Sequence, residues 1–139
     1  MTLAPNAPCP CGSDRKHKKC CRPILQGRPA PTPEALMRSR YTGYVAGDTG
    51  HILATTHPDS PHHQADAASW AAQVASFCQG TTFEGLQVEH THQEGDRGWV
   101  RFEARIRQNG RASSLREHSE FHRVDGQWLY LEGTDPSTP

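Results

Sequence analysis

Nowhere does the sequence hold a long apolar run, and only 34% of its 139 residues are hydrophobic. A helical bilayer crossing needs about 20 consecutive apolar residues, so that class is excluded. Lysine is nearly missing: Lys16, Lys18 and Lys19 are the only three, and every other strong base is arginine. There is no Gly-rich phosphate loop, no nucleophile elbow and no Ser/His/Asp order. Nucleotide-binding and serine-hydrolase chemistries therefore have no local signature here. Residues 1–7 lack the basic and apolar regions of an export signal, so the expectation is a soluble chain of the cytoplasm, where disulfides are disfavoured. Cysteine is scarce too, with five in all, yet four of them lie within thirteen residues.

Those four are Cys9, Cys11, Cys20 and Cys21, spaced C-x-C, eight residues, C-C. Clustered thiolates suit a tetrahedral zinc ion, which four sulfurs neutralise while leaving no open position. Gly12 supplies a residue free to take positive φ in a tight turn. The alternatives are free thiols or a bridge from Cys9 or Cys11 to Cys20 or Cys21. The stretch resembles the SEC-C motif, C-x-C-G-S followed by a basic linker and C-C or C-H. That resemblance implies Cys9, Cys11, Cys20 and Cys21 as structural zinc ligands. Asp14 stands where the motif usually has glycine and His17 where it has tyrosine. Asp tolerates left-handed backbone, and His17 competes as a ligand with the final cysteines.

Zero net charge hides an asymmetry. Residues 1–28 hold six Arg or Lys against one acid, and residues 29–139 hold nine against fourteen. The division expected is a zinc knuckle with connector over 1–28 and a body over 29–139. Met1–Pro8 reads as a mobile lead-in, and Gln26–Pro33, with three prolines, as an extended connector carrying few contacts.

In the body, Thr32-Pro33-Glu34 opens a helix running to Asp48, with Leu36, Met37, Tyr41, Tyr44 and Val45 on its buried face. A second short helix spans His51–Thr56 and a third Ala65–Cys78, whose core face includes Trp70, Val74, Phe77 and Cys78. Beyond Gly80 the period changes to two. Strands are expected over Phe83–Glu94, Gly98–Gln108, Ala112–Val124 and Gln127–Glu132, joined by Gly95-Asp96, Asn109-Gly110 and Asp125-Gly126. The fold class is α+β, three helices on one face of a curved antiparallel four-stranded sheet. The end from Asp135 to Pro139 should fray.

The whole order resembles the YchJ-like bacterial family, which joins a SEC-C motif to a cone-shaped domain of the nuclear-transport-factor-2-like type. The carrying residues are Cys9-Pro10-Cys11-Gly12-Ser13, Leu36 through Tyr41, Tyr44, His57-Pro58, Glu117, Ser119, Phe121, Gly126, Trp128, Tyr130 and Gly133. Thr56 stands where the family often has tryptophan. The resemblance implies a fold and a metal, not a reaction.

Arg40 interrupts an apolar helical stripe, and strand alternation turns Glu117 and Ser119 inward with Leu115 and Phe121. A buried carboxylate must be paired or protonated, and Arg40 is the expected partner in a structural ion pair. The functional alternative is a pocket formed by Arg40, Tyr41, Tyr44, His57, Glu117 and Ser119. Trp70, Trp128 and Tyr130 serve either as core or as its wall. Nine histidines are scattered; His57, Asp59, His62 and His63 offer a second metal site less readily than a polar surface. The leading function is a zinc-binding accessory protein, its knuckle contacting a protein or ribosomal partner and its cone acting as scaffold or small-ligand receptor. The alternatives are an enzyme working through Glu117, Tyr44 and His57, or nucleic-acid binding through Arg15, Lys16, Lys18 and Lys19.

Overall fold

The computed structural model describes residues 3–136. Helices come first: α1 (Cys21–Leu25), α2 (Pro33–Ala46), α3 (Thr49–Ala54) and α4 (Ala67–Gln79) precede strands β1 (Thr82–Glu94), β2 (Arg97–Gln108), β3 (Arg111–Val124) and β4 (Gln127–Thr134). The strands form one antiparallel meander in sequence order. The chain is thus α+β, as its change of period implied, with α1 as a short fourth helix inside the knuckle. Met1, Thr2 and residues 137–139, part of the expected fraying end, lie outside the described residues.

Local chemistry sets the element ends. The Thr32 hydroxyl accepts from the Ala35 amide at 3.0 Å to start α2, and Gly47 at φ 70° ends it. Left-handed backbone at that position is cheap only for glycine. Asp48 and Asp66 cap α3 and α4 in the same manner as Thr32. Asn109-Gly110 and Asp125-Gly126 all have positive φ, the pairing that matches a two-residue turn to strand twist. Register shifts at Phe83/Gly85, Val88/His90 and Glu120/Phe121 bend the sheet, and its concave side receives the helices.

Burial on β2 alternates strictly, placing Val100, Phe102, Ala104 and Ile106 inside. The first three join Leu36, Met37, Tyr41, Phe121, Trp128 and Tyr130 in the main core. Ile52, Trp70 and Val74 form a second cluster, against which Tyr44, Leu53 and Cys78 pack. Cys78 therefore acts as the small hydrophobe its helical position suggested.

The knuckle differs from expectation in one respect. Cys9, Cys11 and Cys21 belong to the main core itself, and Ala30 of the connector is buried with them. The Arg38 guanidinium donates to the Cys11 carbonyl at 2.6 Å. A side chain at Gly12 would press on the Leu86 carbonyl of β1. Few contacts were expected across the connector, but the turns are small enough to dock between α2 and β1. Pro5 and Ala7 of the lead-in are held as well. The His17 amide donates to the Ala7 carbonyl at 2.9 Å and the Lys18 amide to that of Pro5 at 2.9 Å.

Candidate metal centre and cone cavity

The four clustered cysteines meet as their spacing implied. All four sulfurs lie within 4.8 Å of one another, and none forms a disulfide. Cys11 and Cys20 are 3.6 Å apart, Cys20 and Cys21 3.9 Å. A tetrahedron with metal–sulfur bonds of about 2.3 Å has edges of roughly 3.8 Å, close to these two distances, so the donor set is compatible with one ion. The local fold explains the convergence. Asp14, at φ 66°, and Gly12, at φ 78°, turn the loop back, and the Cys9 amide donates to the Arg15 carbonyl at 2.8 Å. Asp14 thus holds the left-handed turn otherwise given to glycine.

His17 is not a fifth donor. It lies outside the four-sulfur set, buried with Nδ1 3.6 Å from the Cys9 sulfur. Thr42, fully buried on α2, donates to the Cys21 sulfur at 3.4 Å and lies 3.7 Å from Cys9. The Ser13 hydroxyl stands 3.1 Å from the Cys20 sulfur. Thr42 carries no metal-site signal in the sequence, although Ser39, Thr42 and Gly43 mark a small-residue side of α2 where another segment fits closely.

A second feature lies between the two core clusters. There the helices and sheet do not close on each other, leaving a cavity of about 470 Å³. Its walls are largely apolar, including Phe83, Phe102, Ile106 and Trp70. Its mouth is open where Phe77 and Leu115 remain 38% and 45% exposed. Phe77, expected in the core of α4, meets Tyr44 and Phe83 edge-on at 5.7 and 6.0 Å.

Of the six pocket residues expected from sequence, Arg40, Tyr41, Tyr44, Glu117 and Ser119 line this cavity. His57 does not. Its amide donates to the Tyr130 carbonyl, and its ring faces His122 at 5.7 Å. His62 and His63 instead pack against Tyr130 and Trp70 respectively.

Arg40 and Glu117 form no direct ion pair, contrary to expectation. Arg40 Nη1 donates to the Ile52 carbonyl at 3.1 Å and to the hydroxyls of Thr55 and Thr56 at 2.8 and 3.2 Å. Its guanidinium lies 4.6 Å from the centre of the Tyr130 ring. Glu117 Oε1 accepts from Ser119 Oγ at 2.7 Å and from Tyr130 Oη at 2.9 Å. Tyr130 therefore stands between cation and anion, touching one with its face and the other with its hydroxyl. Burial pushes the Arg40 guanidinium down from its usual range, with Tyr44, Tyr130 and Glu117 opposing the shift. Burial, then the Glu117 charge, pushes the Tyr130 phenol up. Gly133 leaves room for this array, since a Cβ there would overlap the Glu117 side chain and displace it.

Residues 32–133 match the family model described as the YchJ middle domain of nuclear-transport-factor-2-like type, and residues 6–23 match the SEC-C motif. The chain belongs to the YchJ-like family. A UPF0225 protein of Deinococcus radiodurans is 38% identical over 133 residues, covering 94% of this chain and 92% of that protein. The solution structure of a SEC-C motif containing protein from Rhodopseudomonas palustris has a TM-score of 0.81 at 34% identity, covering 93% of this chain and 98% of that one. A SEC-C motif containing protein from Psychrobacter arcticus shares the fold at a TM-score of 0.76 and 22% identity, over 94% and 84% of the two chains. In this YchJ-like chain one helix, α2, touches the SEC-C cysteines through Thr42 and lines the cavity through Arg40, Tyr41 and Tyr44.

Proposed function

We propose that this YchJ-like chain is a small-ligand-binding protein of the cytoplasm, braced by a structural zinc ion on Cys9, Cys11, Cys20 and Cys21. The cavity is the observation that carries the reading: it is open, largely apolar-walled, and has Arg40, Tyr130, Glu117 and Ser119 among its lining residues. Sites for small molecules share that build, an apolar enclosure of about 300–1,000 Å³ with a few placed polar groups. Zinc is the ion that four thiolates with a closed tetrahedral arrangement favour. The burial of Cys9, Cys11 and Cys21 supports a bracing role for it. An enzyme built on Glu117, Tyr44 and His57 is less well supported, because His57 lies outside the cavity.

Titration with indole, a small neutral aromatic, tests the reading by amide shifts in NMR spectra. Shifts should concentrate at Phe102, Ala104 and Tyr130. Ala104→Trp, which fills the cavity with a tethered indole, should weaken binding at least about tenfold while the protein stays folded. Equal binding by the two proteins would defeat the proposal.

The knuckle supports a second role as a partner contact. Arg15, Lys19 and Arg28 line a groove of about 750 Å³ beside Cys20, with Glu34 the acid among its walls. That charge balance suits an acidic protein surface ahead of ribosomal RNA or other nucleic acid, whose binding draws on broader basic patches.

A further inference from the structure

The cavity floor leaves hydrogen-bonding capacity unused. Glu117 Oε1 accepts from both Ser119 and Tyr130, whereas Oε2 has no protein donor among the described residues. Arg40, whose Nη1 holds the Ile52 carbonyl and the Thr55 and Thr56 hydroxyls, lines the same cavity with the Tyr44 hydroxyl as a further hydrogen-bond partner. No side-chain nitrogen or oxygen is both fully buried and unbonded among the described residues. Arg40 and Glu117 both line the open cavity. Tyr130 holds the anion at its hydroxyl and the cation against its face, so the cavity presents one group of each sign.

We propose that the polar end of the ligand is a neutral carboxamide-like group, a primary amide, lactam or ureide, carried on a compact aromatic or aliphatic body. This rests on reading the cavity as a ligand site. The carbonyl oxygen accepts from Arg40 and the adjoining N–H donates to Glu117 Oε2. A neutral donor–acceptor pair answers both groups without adding a charge to the floor. A carboxylate head gains Arg40 but meets Glu117 as a like charge, and an ammonium head meets the reverse conflict. A zwitterion matches both signs, but two full charges must leave water for an apolar-walled cavity. The Tyr44, Phe77 and Phe83 rings at the mouth then cover the apolar body.

Five probes sharing a phenyl body test the assignment by NMR titration of the full-length, metal-loaded protein: 3-phenylpropanamide, 3-phenylpropanoate, 3-phenylpropylamine, L-phenylalanine and propylbenzene. The amide should bind at least about tenfold tighter than any other, the margin expected of hydrogen bonds to charged partners. Glu117→Gln sharpens the test. Ser119 and Tyr130 would hold the carbonyl oxygen of the substituted side chain where Oε1 now sits, turning its NH₂ toward the ligand. The amide should then weaken about tenfold and the carboxylate tighten. Propanoate, amine or phenylalanine binding as tightly as the amide to the wild-type protein would overturn the assignment, as would an unchanged order in Glu117→Gln. Equal binding of all five at the cavity would overturn the head group while leaving the ligand site standing. Binding of none would remove both.

Discussion

At the scale of single residues, Arg40 shows how a buried cation is kept without an acid against it. Three neutral oxygens and an aromatic face replace its water, and each hydrogen bond to a charged group contributes about 1.5–3 kcal/mol. The sequence marked Arg40 by its place in an apolar stripe and Glu117 by strand alternation. Their separation was not legible, because Tyr130 comes from a different strand whose lateral position depends on the bulge at Glu120/Phe121. A double-mutant cycle on urea unfolding separates the arrangements. Arg40→Met combined with Tyr130→Leu should show a coupling of about 1–2 kcal/mol, as expected for a desolvated cation–π contact. Arg40→Met with Glu117→Gln should show less than about 1 kcal/mol. The reverse ranking would mean that guanidinium and carboxylate meet directly.

At the scale of elements, the helices and hairpins of the body lie within a few residues of their sequence signals. Thr32, Gly47, Asn109-Gly110 and Asp125-Gly126 act locally, so they can be read locally. The junction of α2 with α3 depends on tertiary packing instead. His51 is buried there, with Nε2 2.9 Å from Ser39 Oγ. The Ser39 hydroxyl donates its proton to the Leu36 carbonyl at 2.8 Å, so the imidazole must donate in turn, in its neutral Nε2–H form. Burial, then the Arg40 charge, pushes His51 down to about 4. Its ordinary value is near 6.5, so the depressed value gives stability that is complete above about pH 6.5 and is lost as pH falls through about 4. The loss should reach about 3 kcal/mol across that window. His51→Gln, which keeps a donor for Ser39, should be less acid-sensitive by about that amount in chemical denaturation at about pH 7 and pH 4. Subtracting the two proteins' profiles cancels the acid sensitivity of the metal site that both share. Parallel profiles would show that His51 charges without cost.

At the scale of the molecule, the cysteine cluster and the fold are parts of one core. The cysteine spacing made the cluster legible, but the docking of its turns was not. Thr42, Arg38 and the Leu86 carbonyl reach the knuckle from parts of the chain distant in sequence. A knuckle on a loose connector would lose its metal and unfold alone. Here Cys9, Cys11 and Cys21 pack in the same cluster as Leu36, Val100 and Phe121, and α2 carries both Thr42 and the cavity residues Arg40, Tyr41 and Tyr44. Releasing the ion strips the sulfurs of the interaction that holds them together and loosens the face of α2 on which they pack. Chelation should therefore lower the melting temperature of the whole protein by about 10 °C, corresponding to roughly 2–3 kcal/mol for a chain of this size. The change should appear as a single shifted transition when followed by far-UV circular dichroism and by fluorescence of Trp128, which is buried in the main core. Indole should bind the chelated protein more weakly as α2 shifts. An unchanged melting temperature after complete metal removal would mean that the knuckle rests on the body without supporting it.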